Sequence, residues 1–312
     1  MKRLVLLATM GALVMTGCAT LERLDRRTTG IEVIAHRGAS AKAPENTLAA
    51  FRLAHELDAE WFELDCMLTR DGEVIVIHDY TVDRTTNGEG AVRDLTLAEI
   101  KTLDAGSWKH PDYAGEPVPT LAESLDFAKN KIGVYVEIKP CDDDTELERA
   151  LLERFNDVPV LAHADRAAAL EMIAASASLN YEVTKKVIAL VRERKMEREI
   201  VIQSFSPICC AVAKLAAPEL RVELLTGLDP DEHAKWEAAT RWVFLLGLDG
   251  WNPSGRGLTA GRLAAMQAAN RAVNVWTIND IAEMRRFAAL GVDGIITDRP
   301  GAARRVLAEM GQ

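Results

Sequence analysis

Three acids and a lysine stand at alternate positions in two short apolar runs: Glu63 and Asp65 in "FELDCML", Glu137 and Lys139 in "VEIKP". Residues two apart on a strand share a face, so each run would present its charged pair to one side. Buried carboxylates need compensation, which a metal ion supplies. An all-carboxylate set suits one hard divalent cation, Mg2+ or Ca2+, whereas zinc would more often recruit histidines as ligands. Two histidines end apolar runs of their own, His36 in "IAHRG" and His78 in "VIVIHDY". A single histidine at a strand end usually serves structure, but two that share a site with three acids suit proton transfer. Arg37 and Lys139 would add the local positive charge that an anionic phosphate needs.

These residues work together only if the fold gathers them. Short apolar runs recur at 31–35, 61–68, 133–138, 200–205, 221–225, 242–246, 273–278 and 292–297. Amphipathic helical stretches such as Thr47–Leu57, Tyr181–Glu193 and Leu258–Ala269 lie between them. Eight strands alternating with helices predict an α/β fold, a closed (β/α)8 TIM barrel, with chemistry at the C-terminal ends of its strands. Two stretches break the rhythm. Residues 79–118, rich in Gly, Asp and Thr, read as a small inserted cap; residues 141–180 form an atypical connection with a further strand expected at Val158–His163. Asp71-Gly72 predicts a two-residue hairpin turn. In that register Arg70 pairs with Glu73 and His78 falls opposite Asp65, on the face of the acids, while alternation turns Asp79 away. Asn46 and Thr47 are expected to cap the helix that follows.

In order along the chain stand "AHRGASAKAPENT", "FELDCMLTRDGEVIVIHD", "VEIK", "QSFSP", "VWTIND" and "GVDGIITDRP". The set resembles the glycerophosphodiester phosphodiesterase family, metal-dependent enzymes on a TIM-type barrel, over roughly residues 31–140 and 181–300. The resemblance implies hydrolysis of a small-molecule glycerophosphodiester to glycerol 3-phosphate and an alcohol. It implies Glu63, Asp65 and Glu137 as metal ligands, His36 and His78 as the acid–base pair, and Arg37 and Lys139 as phosphate contacts. Glu45, the acid of "PENT", would lie near metal and substrate, and Trp276 would meet the glycerol moiety. "AANRAVNVW" lacks the glycine common before that strand in the family, a departure that bears on substrate range. Two other readings stand beside this one: a lysophospholipase D or sphingomyelinase D type of lipid phosphodiesterase on the same barrel, and a lipid-anchored binding protein without catalysis.

The chain has 312 residues, 48% of them hydrophobic, and a formal charge of −10. With no basic cluster, a nucleic-acid partner is not expected. Met1-Lys2-Arg3 is a basic start, and the apolar run Leu4–Met15 is too short to span a bilayer. "VMTGCAT" then resembles a lipobox. The expected organisation is a lipoprotein signal peptide at 1–17, a tether at 18–30 carrying lipid on Cys18, and the barrel at 31–305. That places the protein in the cell envelope, held to a membrane, the outer one where the host has it. The cysteines at 66, 141, 209 and 210 show no metal-binding spacing and read as mostly free, buried thiols.

Overall fold

The computed structural model describes residues 30–312. The signal peptide and the Cys18 anchor therefore lie outside the described residues. Nine strands form one sheet: β1 (Glu32–Ala35), β2 (Trp61–Leu68), β3 (Val74–Val76), β4 (Gly133–Ile138), β5 (Ile200–Ser204), β6 (Arg221–Thr226), β7 (Gly250–Pro253), β8 (Ala272–Val275) and β9 (Gly294–Thr297). Every strand but β3 is parallel to its neighbours, and β1 pairs with both β9 and β2, so eight strands close into the predicted barrel. β3 is an antiparallel partner on the upper end of β2.

Alternation explains how the barrel is filled. Val33, Ala35, Phe62, Leu64, Val134 and Val136 point outward into the main core beneath the helices. Their inward neighbours Ile34, Trp61, Tyr135, Val201 and Ile296 make a smaller apolar cluster. Trp61 fits there because residue 133 is glycine: a Cβ at that position would stand 2.1 Å from the indole. Elsewhere inside the barrel, buried Glu223 accepts from Arg221, Asn252 and Asn274.

Three sequence-based expectations fail here, each for a local reason. The apolar run 242–246 is no strand; it ends the helix His233–Leu246, which stops at a left-handed Gly247. The sixth barrel strand is instead Gly250–Pro253, "GWNP", whose pattern is masked because its inward residue is Asn252, one of the donors to Glu223. Val158–His163 forms no strand either: 141–180 carries the helices Thr145–Arg154 and His163–Ala175. Between them Leu161 N–H reaches only the carbonyl of Leu245, at the end of a helix. Nor is the hairpin turn two residues long. Thr69 N–H bonds Glu73 O, Gly72 N–H bonds Thr69 O and Gly72 has φ +77°, so Arg70-Asp71-Gly72 make a three-residue turn with a glycine bulge. Cys66 then pairs with Val76, and the residue opposite Asp65 is Ile77, not His78.

The cap is an irregular layer over its own buried cluster, Met67, Ile75, Ile77, Val82, Val92, Ile100, Ala105 and Val118. Cys66, Cys209 and Cys210 are buried, Cys141 is half-buried and all four are free thiols.

Candidate active site

β2 and β4 run side by side with Asp65 paired to Glu137. The inward alternation of Glu63, Asp65, Glu137 and Lys139 therefore converges at the mouth. Ligand oxygens of the three acids lie within 4.8 Å of one another, and all three are buried. Glu63 Oε2 accepts the backbone N–H of Arg37 at 2.8 Å, while its Oε1 is buried with no hydrogen-bond partner. Asp65 Oδ2 accepts from Asn46 Nδ2 at 2.8 Å, and Asn46 Oδ1 takes the backbone N–H of Asp65 in return. Asn46 is thus not a helix cap, as its position suggested. That role falls to Thr47 alone, whose hydroxyl accepts from Ala50 N–H.

Charge decides what this cluster can hold. Burial, then the nearby charges of Asp65 and Glu137, push the Glu63 carboxyl well above its ordinary range. Glu137 is pushed up to about 7, first by burial and then by Asp65, against Lys139. Burial also acts on Asp65, but Arg37 and Lys139 outweigh it and hold that carboxyl low. Lys139 Nζ lies 2.9 Å from Glu137 Oε1 and 3.6 Å from Asp65 Oδ1, and Arg37 Nε lies 3.4 Å from Asp65 Oδ2. Two cations against three acids leave the pocket negative; a divalent ion would make it positive enough to attract a phosphodiester. Three convergent buried carboxylates, one with an orphaned oxygen, fit a hard divalent cation in donor type and spacing.

Both predicted histidines reach this mouth. His36 follows β1, and its Nδ1 lies 2.6 Å from Asp298 Oδ1. His78 arrives by a route the hairpin register did not anticipate. After Ile77 the chain bends out of the sheet, which frees the ring from strict alternation. It lies close enough to Asp65, Arg37 and Lys139 for their charges to act on it. The same bend brings Asp79, expected to face away, to 2.6 Å from His78 Nδ1. Each imidazole is thereby held at Nδ1 by a carboxylate, which leaves Nε2 as the nitrogen available for proton transfer. Burial pulls His78 below its ordinary value.

Arg37 has φ +54° and Asn46 φ +58°, left-handed conformations that non-glycine residues hold only where surroundings enforce them. The turn at Arg37 aims its N–H at Glu63 and its guanidinium at Glu45, whose Oε1 accepts from Nη1 at 2.8 Å. Trp276 sits across the mouth, edge-on to the half-exposed ring of Phe205 at 5.5 Å. Beyond Trp276 opens a pocket of about 880 Å³ with Asp229, Arg256, Asn279, Asp280 and Glu283 in its walls. Asn279 Nδ2 donates to Asp298 Oδ2 at 2.6 Å, so this pocket borders the His36–Asp298 pair.

Sequence reasoning missed Asp298, Arg84, Asn279 and the pairing role of Asn46. Barrel closure explains Asp298: Thr297 pairs with Ala35, which makes the next residues, Asp298 and His36, neighbours.

The model of the glycerophosphoryl diester phosphodiesterase family matches residues 36–176 and 152–302. A protein of Caldanaerobacter subterraneus subsp. tengcongensis named glycerophosphodiester phosphodiesterase is 35% identical over 270 residues, 86% of this chain and 94% of that one. One of the same name from Bacillus subtilis is 31% identical, over 88% of this chain and 86% of that one. Among solved structures, an Oleispira antarctica phosphodiesterase in complex with its product sn-glycerol-3-phosphate aligns with a TM-score of 0.68 at 28% identity, covering 89% of this chain and 96% of the other. A glycerophosphodiester phosphodiesterase from Agrobacterium tumefaciens aligns at 0.67 and 30% identity, over 88% and 99%.

Proposed function

The chain belongs to the glycerophosphoryl diester phosphodiesterase family, and on that premise we propose how its mouth hydrolyses a glycerophosphodiester to glycerol 3-phosphate and an alcohol. The observation that carries the reading is the convergence of three buried carboxylates and two carboxylate-held histidines on one barrel mouth. Glu63, Asp65 and Glu137 would hold one divalent cation, Mg2+ or Ca2+, which supplies Lewis-acid polarisation of the phosphate and a lowered pKa for the attacking group. Arg37 and Lys139 bind phosphate oxygens, and Glu45 keeps the Arg37 guanidinium in place.

Proton transfer divides between the two imidazoles. The lowered pKa of His78 favours the neutral ring that a base requires, so His78 Nε2 accepts the nucleophile's proton. The nucleophile is the substrate's own 2-hydroxyl, giving a cyclic phosphate that water then opens. His36 borders the open pocket through Asp298 and Asn279. The departing alcohol lies in that pocket and takes its proton from His36 Nε2, while Asp298 holds the ring at Nδ1. Charged side chains in the walls favour a deacylated diester over an acyl chain. Both histidines and all three acids are in place, which argues against a binding protein without chemistry. The test is enzyme-coupled detection of glycerol 3-phosphate released from several glycerophosphodiesters. Release that chelator stops and the divalent ion restores is expected; no release with the ion present would refute the activity.

We further propose that Cys18 carries lipid and holds the protein in the cell envelope, on the order of basic start, apolar run and Gly17-Cys18. Among the described residues no helix is long and apolar enough to cross a membrane. Gly30 leads into the N-terminal end of β1, opposite the mouth. Mass spectrometry of membrane-extracted protein decides it: an unmodified Cys18 on a full-length chain would end the proposal.

A further inference from the structure

The cap places Arg84 at the mouth, a side chain to which the proposed mechanism gives no role. Arg84 lies between two carboxylates that each hold another residue of the site. Its Nε and Nη2 donate to Asp79 at 2.6 and 3.0 Å, and its Nη1 and Nη2 donate to Glu45 at 3.0 and 2.8 Å. Asp79 is the partner of His78 Nδ1, and Glu45 is the partner of Arg37 Nη1. The result is an unbroken chain of paired side chains, His78–Asp79–Arg84–Glu45–Arg37–Asp65, closed at its far end by the 3.4 Å approach of Arg37 to Asp65.

The turn that presents Arg84 is itself fixed. Val82 is fully buried and Thr85 and Thr86 are nearly so. Val82 N–H bonds Gly90 O, Gly90 N–H bonds Asp83 Oδ1, and the Thr86 hydroxyl donates to Val82 O. A guanidinium on a fixed turn can set the position of the groups it binds. It also screens Asp79 and Glu45 from each other; without it, two carboxylates drawn to the same place would repel and swing apart.

We propose that Arg84 is the positioning residue through which the cap aligns His78 for proton transfer and Arg37 for phosphate binding. The assignment rests on the glycerophosphodiesterase reading and extends it from the barrel to the inserted segment. The planar fork is what the geometry uses, since one guanidinium offers two donor edges to two acids and an ammonium cannot.

Steady-state turnover of glycerophosphocholine with saturating divalent ion tests this in the full chain. Arg84→Gln is expected to lower kcat about 10- to 100-fold, the usual range for losing a group that orients a site residue. It should also raise KM through the loosened Arg37. Arg84→Lys should recover little of either. Asp79→Asn alone should lower kcat comparably, and Arg84→Gln with Asp79→Asn should be no slower than the slower single variant, because both break one link. Lys101→Gln is the control: Lys101 bonds Val118 O within the cap and ties it to Glu123 without touching the site, and its kcat should stay near wild type. Near-wild-type kcat for Arg84→Gln, full rescue by lysine, independent losses in the double variant, or an equal loss in Lys101→Gln would each overturn the assignment. An inactive wild type would instead refute the proposed activity, so the two failures are distinguishable.

Discussion

Replacing Glu63 with glutamine should make the metal-free protein more stable while destroying its response to metal. Oxygens of Glu63, Asp65 and Glu137 lie within 4.8 Å of one another. Two unit charges at that spacing repel by about 3 kcal/mol at an effective dielectric of about 20. Arg37 and Lys139 offset part of this, so removing one charge should return about 1–3 kcal/mol, roughly 2–6 °C in a chain of this size. The sign with pH follows from the raised carboxyls. Burial, then Asp65 and Glu137, push Glu63 up, and Glu137 itself is pushed up to about 7. Chelated wild type therefore has its full stability below the ordinary carboxylate range and loses it as pH rises through neutrality. The advantage of Glu63→Gln should be largest near about pH 8 and vanish toward about pH 5. A divalent ion at about a hundred times its Kd should reverse the order, adding about 3 kcal/mol to wild type and little to a variant missing a ligand. Thermal melting of both chains, in chelator and across an Mg2+ or Ca2+ titration at several pH values, measures all of this. A variant that melts below wild type in chelator near neutral pH and keeps the full metal-induced rise would refute the argument.

Three further outcomes are expected. His36→Ala and His78→Ala should each lower kcat on glycerophosphocholine by roughly two to four orders of magnitude, with the metal-induced rise in melting temperature retained. On a diester whose leaving group is p-nitrophenolate, which departs without protonation, His36→Ala should recover and His78→Ala should not; equal recovery would overturn the division of roles. Asp298→Asn should slow turnover about 10- to 100-fold at little-changed KM, as the loss of the group orienting His36, and unchanged kcat would remove it from the site. Gly133→Ala, which forces a Cβ to 2.1 Å from the Trp61 indole, should cost about 1–3 kcal/mol of stability in a denaturant melt, and a neutral result would mean the barrel interior is looser than described.

The sequence by itself determined what strand alternation and local spacing control. Glu63 and Asp65, and Glu137 and Lys139, share a face because they stand two apart on a strand, and that held wherever the strand was regular. The eight-strand count was also legible, although one of its members was misplaced. A helix end as apolar as Trp242–Leu246 imitates a buried strand, while Gly250–Pro253 conceals one behind the inward amide of Asn252. The tertiary structure decided everything that depends on chain meeting chain or leaving the pleat. Asp298 stands 262 positions from His36 and meets it only because the barrel closes between β9 and β1. The bulge at Gly72 shifted the hairpin by one residue, and a bend after Ile77 then returned His78 to the mouth and brought Asp79 with it. Arg84 reaches Asp79 and Glu45 because the cap folds on a cluster of its own. Periodicity assigns a side chain to a face. Which faces meet is fixed by closure, bulges and packing, because those contacts join residues far apart in sequence and leave no period to read.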